Sequence, residues 1–227
     1  MHSPPRNLPA TWAPVALSRD VPAGSATDTM LHNVSIALWR GKDGHVHAWA
    51  DRCPHRGMRL SLGFVRTNRL VCLYHGWEYE SGGSCRRVPA HPDMDPPNTI
   101  RSTVYRTVER YGMVWLEHEP DSDTAAETVE DSITTPVCSV YVDSPPPRVL
   151  HALTSHAEQA EHAGNLVHAR VGDTDLAIGI QPCSDMTTAL HISTRSAEPI
   201  PTELHRIILW ARVFRDSTST GTEVAVR

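Results

Sequence analysis

Two short arms constrain this chain more than anything else in it. The first is Cys53-Pro-His-Arg-Gly57 and the second is Cys72-Leu-Tyr-His-Gly-Trp77. The spacing reads Cys-x-His, sixteen residues, then Cys-x-x-His. Each arm offers one thiolate and one imidazole. A fold that turns the arms toward each other therefore supplies two soft sulfur donors and two imidazole nitrogens to one small volume. The glycine closing each motif lets backbone approach that volume.

Two metal chemistries compete for such a donor set. Structural zinc sites of the Cys2His2 type usually pair Cys with Cys and His with His along the chain. The interleaved order here does not match that habit. A binuclear [2Fe–2S] centre of the Rieske type does match, because one iron takes two thiolates and the other two imidazoles. The expected ligands are thus Cys53, His55, Cys72 and His75. The chain has five cysteines at irregular spacing, an odd number that is not a disulfide framework. Cys85 is expected to be a free structural thiol, and Cys138 and Cys183 small buried hydrophobes. Tyr74 and Trp77 either shield the cluster or serve as strand-core aromatics.

Around the arms the chain reads as short strands with turn signals. Residues 34–40 and 45–51 form two strands about the turn Gly41-Lys-Asp-Gly44, and residues 70–73 and 77–80 form two more. Residues 103–108 and 112–118 make a closing hairpin. Residues 119–135 are acidic and nearly free of large apolar side chains, which predicts a linker. Beyond it, residues 149–168 have helical composition with Gly164 as a weak point, and residues 190–193 and 206–214 read as strands. The expected segments are 8–118, 119–135 and 136–227, in an α+β chain whose first part is mainly β.

A formal net charge of −5 gives no reason to expect nucleic acid or an acidic membrane as partner. No run approaches the roughly 20 apolar residues that span a bilayer. Residues 1–16 lack the apolar core of a secretory signal, so a cytoplasmic location is expected.

The wording of the motifs is more specific than their spacing. Trp12-Ala-Pro-Val-Ala-Leu-Ser18, Leu38-Trp-Arg40, Asp51-Arg-Cys-Pro-His-Arg-Gly57, Leu60-Ser-Leu-Gly63, Tyr74-His-Gly-Trp77 and Val88-Pro-Ala90 resemble the large subunits of Rieske non-heme iron oxygenases, of the ring-hydroxylating and demethylating types. Respiratory Rieske proteins carry two further cysteines, where Met58 and Leu73 or Tyr74 stand here. The resemblance implies a Rieske domain followed by a shortened, helix-grip-like catalytic domain. It also implies a reductase or ferredoxin as electron donor, a small aromatic substrate, hydroxylation or dealkylation with dioxygen, and a homotrimer or a complex with another subunit.

The family further implies a mononuclear Fe(II) held by two histidines and one carboxylate. The candidate histidines are His162 and His168, in Glu161-His-Ala-Gly-Asn-Leu-Val-His168. Five residues separate them rather than four, and the family's bridging acid falls on Gln159. On one ideal helix they would lie about 240° apart, so the pair needs Gly164 to break the helix. Asp173, Asp175, Asp185 and Asp216 are available as a third ligand, none in the expected context.

Overall fold

Sixteen strands and two α-helices are distributed over residues 12–118, 134–156 and 159–220 of the computed structural model, the residues described below; the side chains of His156 and Thr220 are left aside. The expected linker, residues 119–135, lies almost wholly outside the described residues. Every strand pairing within the sheets is antiparallel. Strand β1 (Trp12–Leu17) opens the described chain, which divides into two compact units, residues 19–107 and residues 1–18 with 108–227.

The unit of residues 19–107 holds two four-stranded sheets. The first has the order β2-β3-β4-β9, from β2 (Ala26–Leu31), β3 (Val34–Arg40), β4 (Val46–Ala50) and β9 (Val104–Tyr105). The second runs β5-β6-β7-β8, from β5 (Phe64–Arg66), β6 (Arg69–Val71), β7 (Glu78–Glu80) and β8 (Cys85–Arg87). The strands predicted at residues 34–40 and 45–51 are β3 and β4, and those at 70–73 and 77–80 are β6 and β7. Strand β3 is buried on both faces: Ala37 and Trp39 join Trp49, Leu60, Leu70 and Tyr79 in one apolar cluster, while Ile36 and Leu38 are buried on the other side. The β2–β3 turn uses His32 and Asn33, both at positive φ (48° and 63°), which matches the right-handed twist of the strands it joins. Cys53 and Cys72, which open the loops of residues 53–58 and 72–77, pack into the same apolar cluster as Trp49 and Tyr79.

The other unit is layered. A five-stranded sheet of order β12-β16-β15-β14-β13 is built from β12 (Thr135–Val142), β13 (Ala160–Ala163), β14 (Leu166–Val171), β15 (Thr174–Pro182) and β16 (Thr188–Thr194). Helices α1 (Pro146–His156) and α2 (Pro201–Thr220) cover one face, where Val149, Leu153, Ile207, Ala211 and Phe214 pack on Val140, Ile178, Ile180, Leu190 and Ile192. On the other face Leu166 and Ala177 meet Trp12, Leu17, Met113 and Trp115, from the sheet β1-β11-β10 of β10 (Thr107–Arg110) and β11 (Met113–Glu117). The closing hairpin therefore forms about Tyr111-Gly112, and its apolar face groups it with the C-terminal sheet.

Two expectations are corrected. The helix predicted over residues 149–168 stops at His156, and residues 160–168 lie in the β13–β14 hairpin, turned at Gly164-Asn165. Leu166, Val167 and Ala169 are buried on a sheet that helical composition could not announce. The strand predicted over residues 206–214 is the middle of α2. Ile207, Ala211 and Phe214 are buried at i, i+4 and i+7 while Ile208, Leu209 and Val213 are exposed, a one-sided pattern of helical period. Pro201 at the first helical position suits the start.

One polar network crosses the five-stranded sheet. His191 accepts or donates at both nitrogens, Nδ1 to Ser139 Oγ at 2.8 Å and Nε2 to Gln181 Oε1 at 2.7 Å. An amide oxygen only accepts, so Nε2 carries the proton and Nδ1 takes the Ser139 hydroxyl proton. Burial pushes His191 down to about 4 from its ordinary 6.5. The neutral ring is the form this site accepts. Its contribution is thus complete above about pH 6.5 and lost as the pH falls toward 4, roughly 3 kcal/mol at the acid end. Urea unfolding between pH 7.5 and 4 should show that loss in the native chain and a smaller one in His191→Gln; equal acid losses in both would refute it.

Candidate metal centre

The two loops repeat one backbone device. In the first, Cys53 N–H donates to Met58 O (2.8 Å) and Gly57 N–H returns to Cys53 O (2.8 Å); in the second, Cys72 N–H donates to Trp77 O (2.9 Å) and Gly76 N–H returns to Cys72 O (3.0 Å). Each cysteine opens a six-residue loop closed at both ends. The returning glycines sit at φ 72° and 68°, where an L side chain is strained, and a Cβ on Gly76 would press on Pro89 Cγ at 3.2 Å. The Cys-x-x-x-Gly spacing shared by the two arms is the sequence trace of this closure.

The four expected ligands separate by burial. Cys53 and Cys72 are buried, 3% and 2% exposed, whereas His55 is half-buried and His75 exposed. The two thiols are within hydrogen-bonding reach of each other, and the backbone N–H groups of Tyr74 and His75 are aimed at the Cys72 sulfur. Burial pushes the Cys72 thiol up, with the Cys53 sulfur adding to the rise and those two N–H groups opposing it. The two N–H groups directed at the Cys72 sulfur would favour a metal-bound thiolate there. The imidazoles of His55 and His75 lie edge to face with ring centroids 4.7 Å apart. Burial, then the His75 ring and Arg56, pull the His55 pKa down, toward the neutral form that binds metal.

Aromatic rings hold the imidazoles in place. Trp77 stacks on His55 (centroids 4.1 Å, 6° between planes) and Tyr74 stacks on His75 (3.8 Å, 26°). Tyr74 is exposed and Trp77 half-buried, so neither is a fully buried core residue. Beneath the thiols, Tyr79 Oη lies 3.1 Å from Cys53 Sγ, and burial raises the Tyr79 pKa, keeping a proton available to that contact. Cys85 is buried nearby and its thiol leans on Arg87 O at 3.7 Å, a free thiol turned to backbone.

Two carboxylates that sequence reasoning did not single out brace the loops. Asp51, two residues before Cys53, accepts from Ser61 N–H (2.7 Å), Ser61 Oγ (2.7 Å), Arg59 Nε (2.8 Å) and Ser35 Oγ (3.0 Å). Burial alone would raise its pKa, but these bonds outweigh burial and hold it low. Glu78, the residue after Trp77, is buried and receives Arg66 (2.9 Å), Arg87 (2.9 Å) and Arg69 (3.3 Å). No spacing rule links residues 51, 59 and 61, or 66, 69, 78 and 87; only the sheet brings them together.

His162 and His168 are not brought together. They lie on the paired strands β13 and β14, with Glu161 opposite His168 and His162 opposite Val167. Opposed residues share a face and neighbours alternate, so the two histidines point to opposite faces of the sheet. His162 is exposed; His168 lies edge to face with Tyr111, and neither of its ring nitrogens has a hydrogen-bond partner among the described residues. Among the acids considered as third ligand, Asp175 is engaged by Arg170 (2.8 Å) and Asp216 by Arg215 (2.7 Å). Among the described residues no three His, Cys, Asp or Glu side chains gather about a single metal position. A two-iron cluster needs only two protein ligands per iron; a mononuclear site of the expected type needs three. No helix among the described residues is long and apolar enough to cross a membrane.

Comparison with known proteins bears on the same stretch. A family model described as the Rieske [2Fe-2S] domain matches residues 11–107. The chain is 40% identical over 139 residues to the oxidoreductase NdmD of Pseudomonas putida, covering 59% of this chain and 24% of that protein. It is 41% identical over 93 residues to the methylxanthine N1-demethylase NdmA of the same organism, covering 41% and 26%. It thus spans about a quarter of the length of these curated relatives. In fold it is similar to apo dicamba monooxygenase (TM-score 0.75, 18% identity, 93% of this chain and 84% of that one) and to NdmA of Pseudomonas putida CBB5 (0.70, 20%, 93% and 80%). The matched motifs, the twin closed loops and the family match together make residues 11–107 a member of the Rieske [2Fe–2S] domain family, with a [2Fe–2S] cluster as its cofactor.

Proposed function

We propose that this chain is an oxidoreductase component of the Rieske oxygenase type, relaying single electrons from a reductase or ferredoxin into the dioxygen-dependent hydroxylation or dealkylation of a small aromatic substrate. The observation that carries the reading is the pair of twin loops, with buried thiols at Cys53 and Cys72 and outward imidazoles at His55 and His75. In this reading Cys53 and Cys72 hold the inner iron and His55 and His75 the outer one. When bound, the cluster supplies reversible one-electron exchange at a potential above that of an all-cysteine cluster.

The chain's own residues fit that task. Trp77 and Tyr74 fix the planes of the imidazoles, so that little reorganises when the charge of the site changes. Tyr79 and the Tyr74 and His75 backbone N–H groups donate toward sulfur, which stabilises added negative charge. The imidazole side is the exposed side of the site, and there an incoming electron has the shortest path. His162 and His168 do not fit a shared mononuclear iron, because they face opposite ways. This favours the form of the role in which the chain is an electron-transfer or accessory subunit without an iron on that pair. The names of similar proteins, methylxanthine N1-demethylase and vanillate O-demethylase oxygenase subunit among them, support the dealkylation class.

Anaerobic reconstitution followed by iron and sulfide counting tests the reading. Two irons and two sulfides per chain are expected, retained in His162→Ala, His168→Ala and Cys85→Ser, and lost with the visible absorption in Cys53→Ser and Cys72→Ser. A third iron per chain that disappears in His162→Ala or His168→Ala would overturn the relay form. A second expectation concerns the brace. Asp51→Ala strands the buried Ser61 N–H and hydroxyl and should cost about 2–3 kcal/mol, read as a lower midpoint for thermal loss of cluster absorbance.

A further inference from the structure

Charge is distributed unevenly along this acidic chain. Residues 19–107 carry 12 Arg and Lys against 8 Asp and Glu, a formal +4, while the rest carries 9 against 18, a formal −9. The excess is steepest around the two loops. Residues 52–87 hold seven arginines and only two acids, Glu78 and Glu80.

Three of those arginines form an ordered face. Arg66, Arg69 and Arg87 converge on Glu78, whose side chain is 4% exposed while theirs are about half exposed. A carboxylate has about four acceptor positions, and three guanidiniums carry about fifteen N–H donors. Glu78 can therefore orient the three forks but cannot saturate or neutralise them. The neighbouring Glu80 is paired with Arg86 at 2.7 Å and so does not cancel the excess. A cavity of about 340 Å³ opens here, lined by Arg66, Thr67, Asn68, Arg69, Glu78 and Glu80. Glu78 directly follows Trp77, the residue stacked on His55, so the arginine face begins where the second loop ends. On the loop itself Leu73 and Tyr74 are 55% and 62% exposed, beside exposed His75. Exposed apolar side chains on a loop that runs straight into a set of oriented arginines suit brief association with an oppositely charged protein.

We propose that Arg66, Arg69 and Arg87, held by Glu78, together with Leu73 and Tyr74, form the docking surface for the acidic face of a one-electron donor protein. The inference rests on the relay reading and names the partner's chemistry: surface carboxylates gripped by bidentate guanidiniums. One electron passes from the donor's reduced centre to this one, with no proton or group transferred.

An acidic plant-type ferredoxin serves as the probe, since its potential lies well below that of a Rieske centre. Its dissociation constant for the cluster-loaded chain is measured in the oxidised state, and the second-order rate of cluster reduction by stopped flow, both from 10 to 300 mM salt. Expected are weakening with salt and, at 10 mM, an about tenfold rise in the dissociation constant and an about tenfold fall in the rate for the Arg66→Gln/Arg69→Gln double variant. Arg66→Lys/Arg69→Lys should recover most of the rate, and Arg19→Gln, a charge removed outside residues 52–87, should change it less than twofold. Should the double variant fail to fold, Arg87→Gln carries the same expectation at about threefold. Salt-independent binding, or equal losses in Arg19→Gln and the arginine-face variants, would overturn the docking surface. Tight, arginine-dependent binding without electron transfer would leave that surface standing and overturn the relay reading instead.

Discussion

Holding two thiols side by side in the interior, without joining them, is the constraint on which the unit of residues 19–107 depends. Cys53 and Cys72 need burial to keep solvent from their sulfurs, N–H and O–H donors to tolerate negative charge, and rigid loops to stop them closing on each other. The twin closures Cys53–Met58 and Cys72–Trp77 supply the rigidity. The Tyr79 hydroxyl and the backbone N–H groups after Cys72 supply the donors. The burial comes from the Trp39, Trp49 and Leu70 layer beneath. Each element would be costly alone: a glycine at positive φ, a buried tyrosine hydroxyl, two buried carboxylates. Together they become consistent, because each satisfies a need created by another.

Outward from the thiols the polarity of the site reverses. The imidazoles are half-buried or exposed, their ring planes set by Trp77 and Tyr74, and the surrounding surface is dominated by arginine. Glu78 belongs to both regions. It is buried like a core residue, yet its carboxylate is held by the solvent-facing guanidiniums of Arg66, Arg69 and Arg87, so it transmits the order of the sheet to a charged surface. Asp51 plays a similar part for the first loop, bonding Ser61, Ser35 on β3 and Arg59, which in turn reaches Asp28 on β2. Loop rigidity and surface charge are thus set by the same pair of carboxylates.

The second unit follows a different logic. Its five-stranded sheet is apolar on the helix-covered face and mixed on the other, where His191, Ser139 and Gln181 form a fully satisfied polar row. His168 lies on that mixed face as well, with neither nitrogen satisfied by the described residues. A strand places consecutive residues on opposite faces, so the β13–β14 register alone separates His162 from His168. No adjustment of the loop at Gly164 reunites them without slipping the whole hairpin by one residue and exposing Val167.

The local content of the sequence determined the metal-binding loops. Their donors, the closing glycines and the stacked aromatics all lie within six residues of each cysteine, and loop chemistry of that range is written in adjacent residues. Residues 34–40, 45–51, 70–73 and 77–80 were legible as strands for the same reason, with turn signals at their ends. Only the tertiary structure decided the rest. The β-branched run Ile207-Ile208 suggested a strand, yet burial on one side at helical period made it α2, because a sheet waiting beneath it accepts a helix. The histidine- and alanine-rich stretch after His156 suggested helix, yet pairing with β15 made it a hairpin. The braces at Asp51 and Glu78 join residues up to 16 positions apart in sequence, through contacts that exist only once the sheets have formed. Short-range chemistry is visible one residue at a time; which face a side chain shares, and with whom, depends on partners that no window of sequence contains.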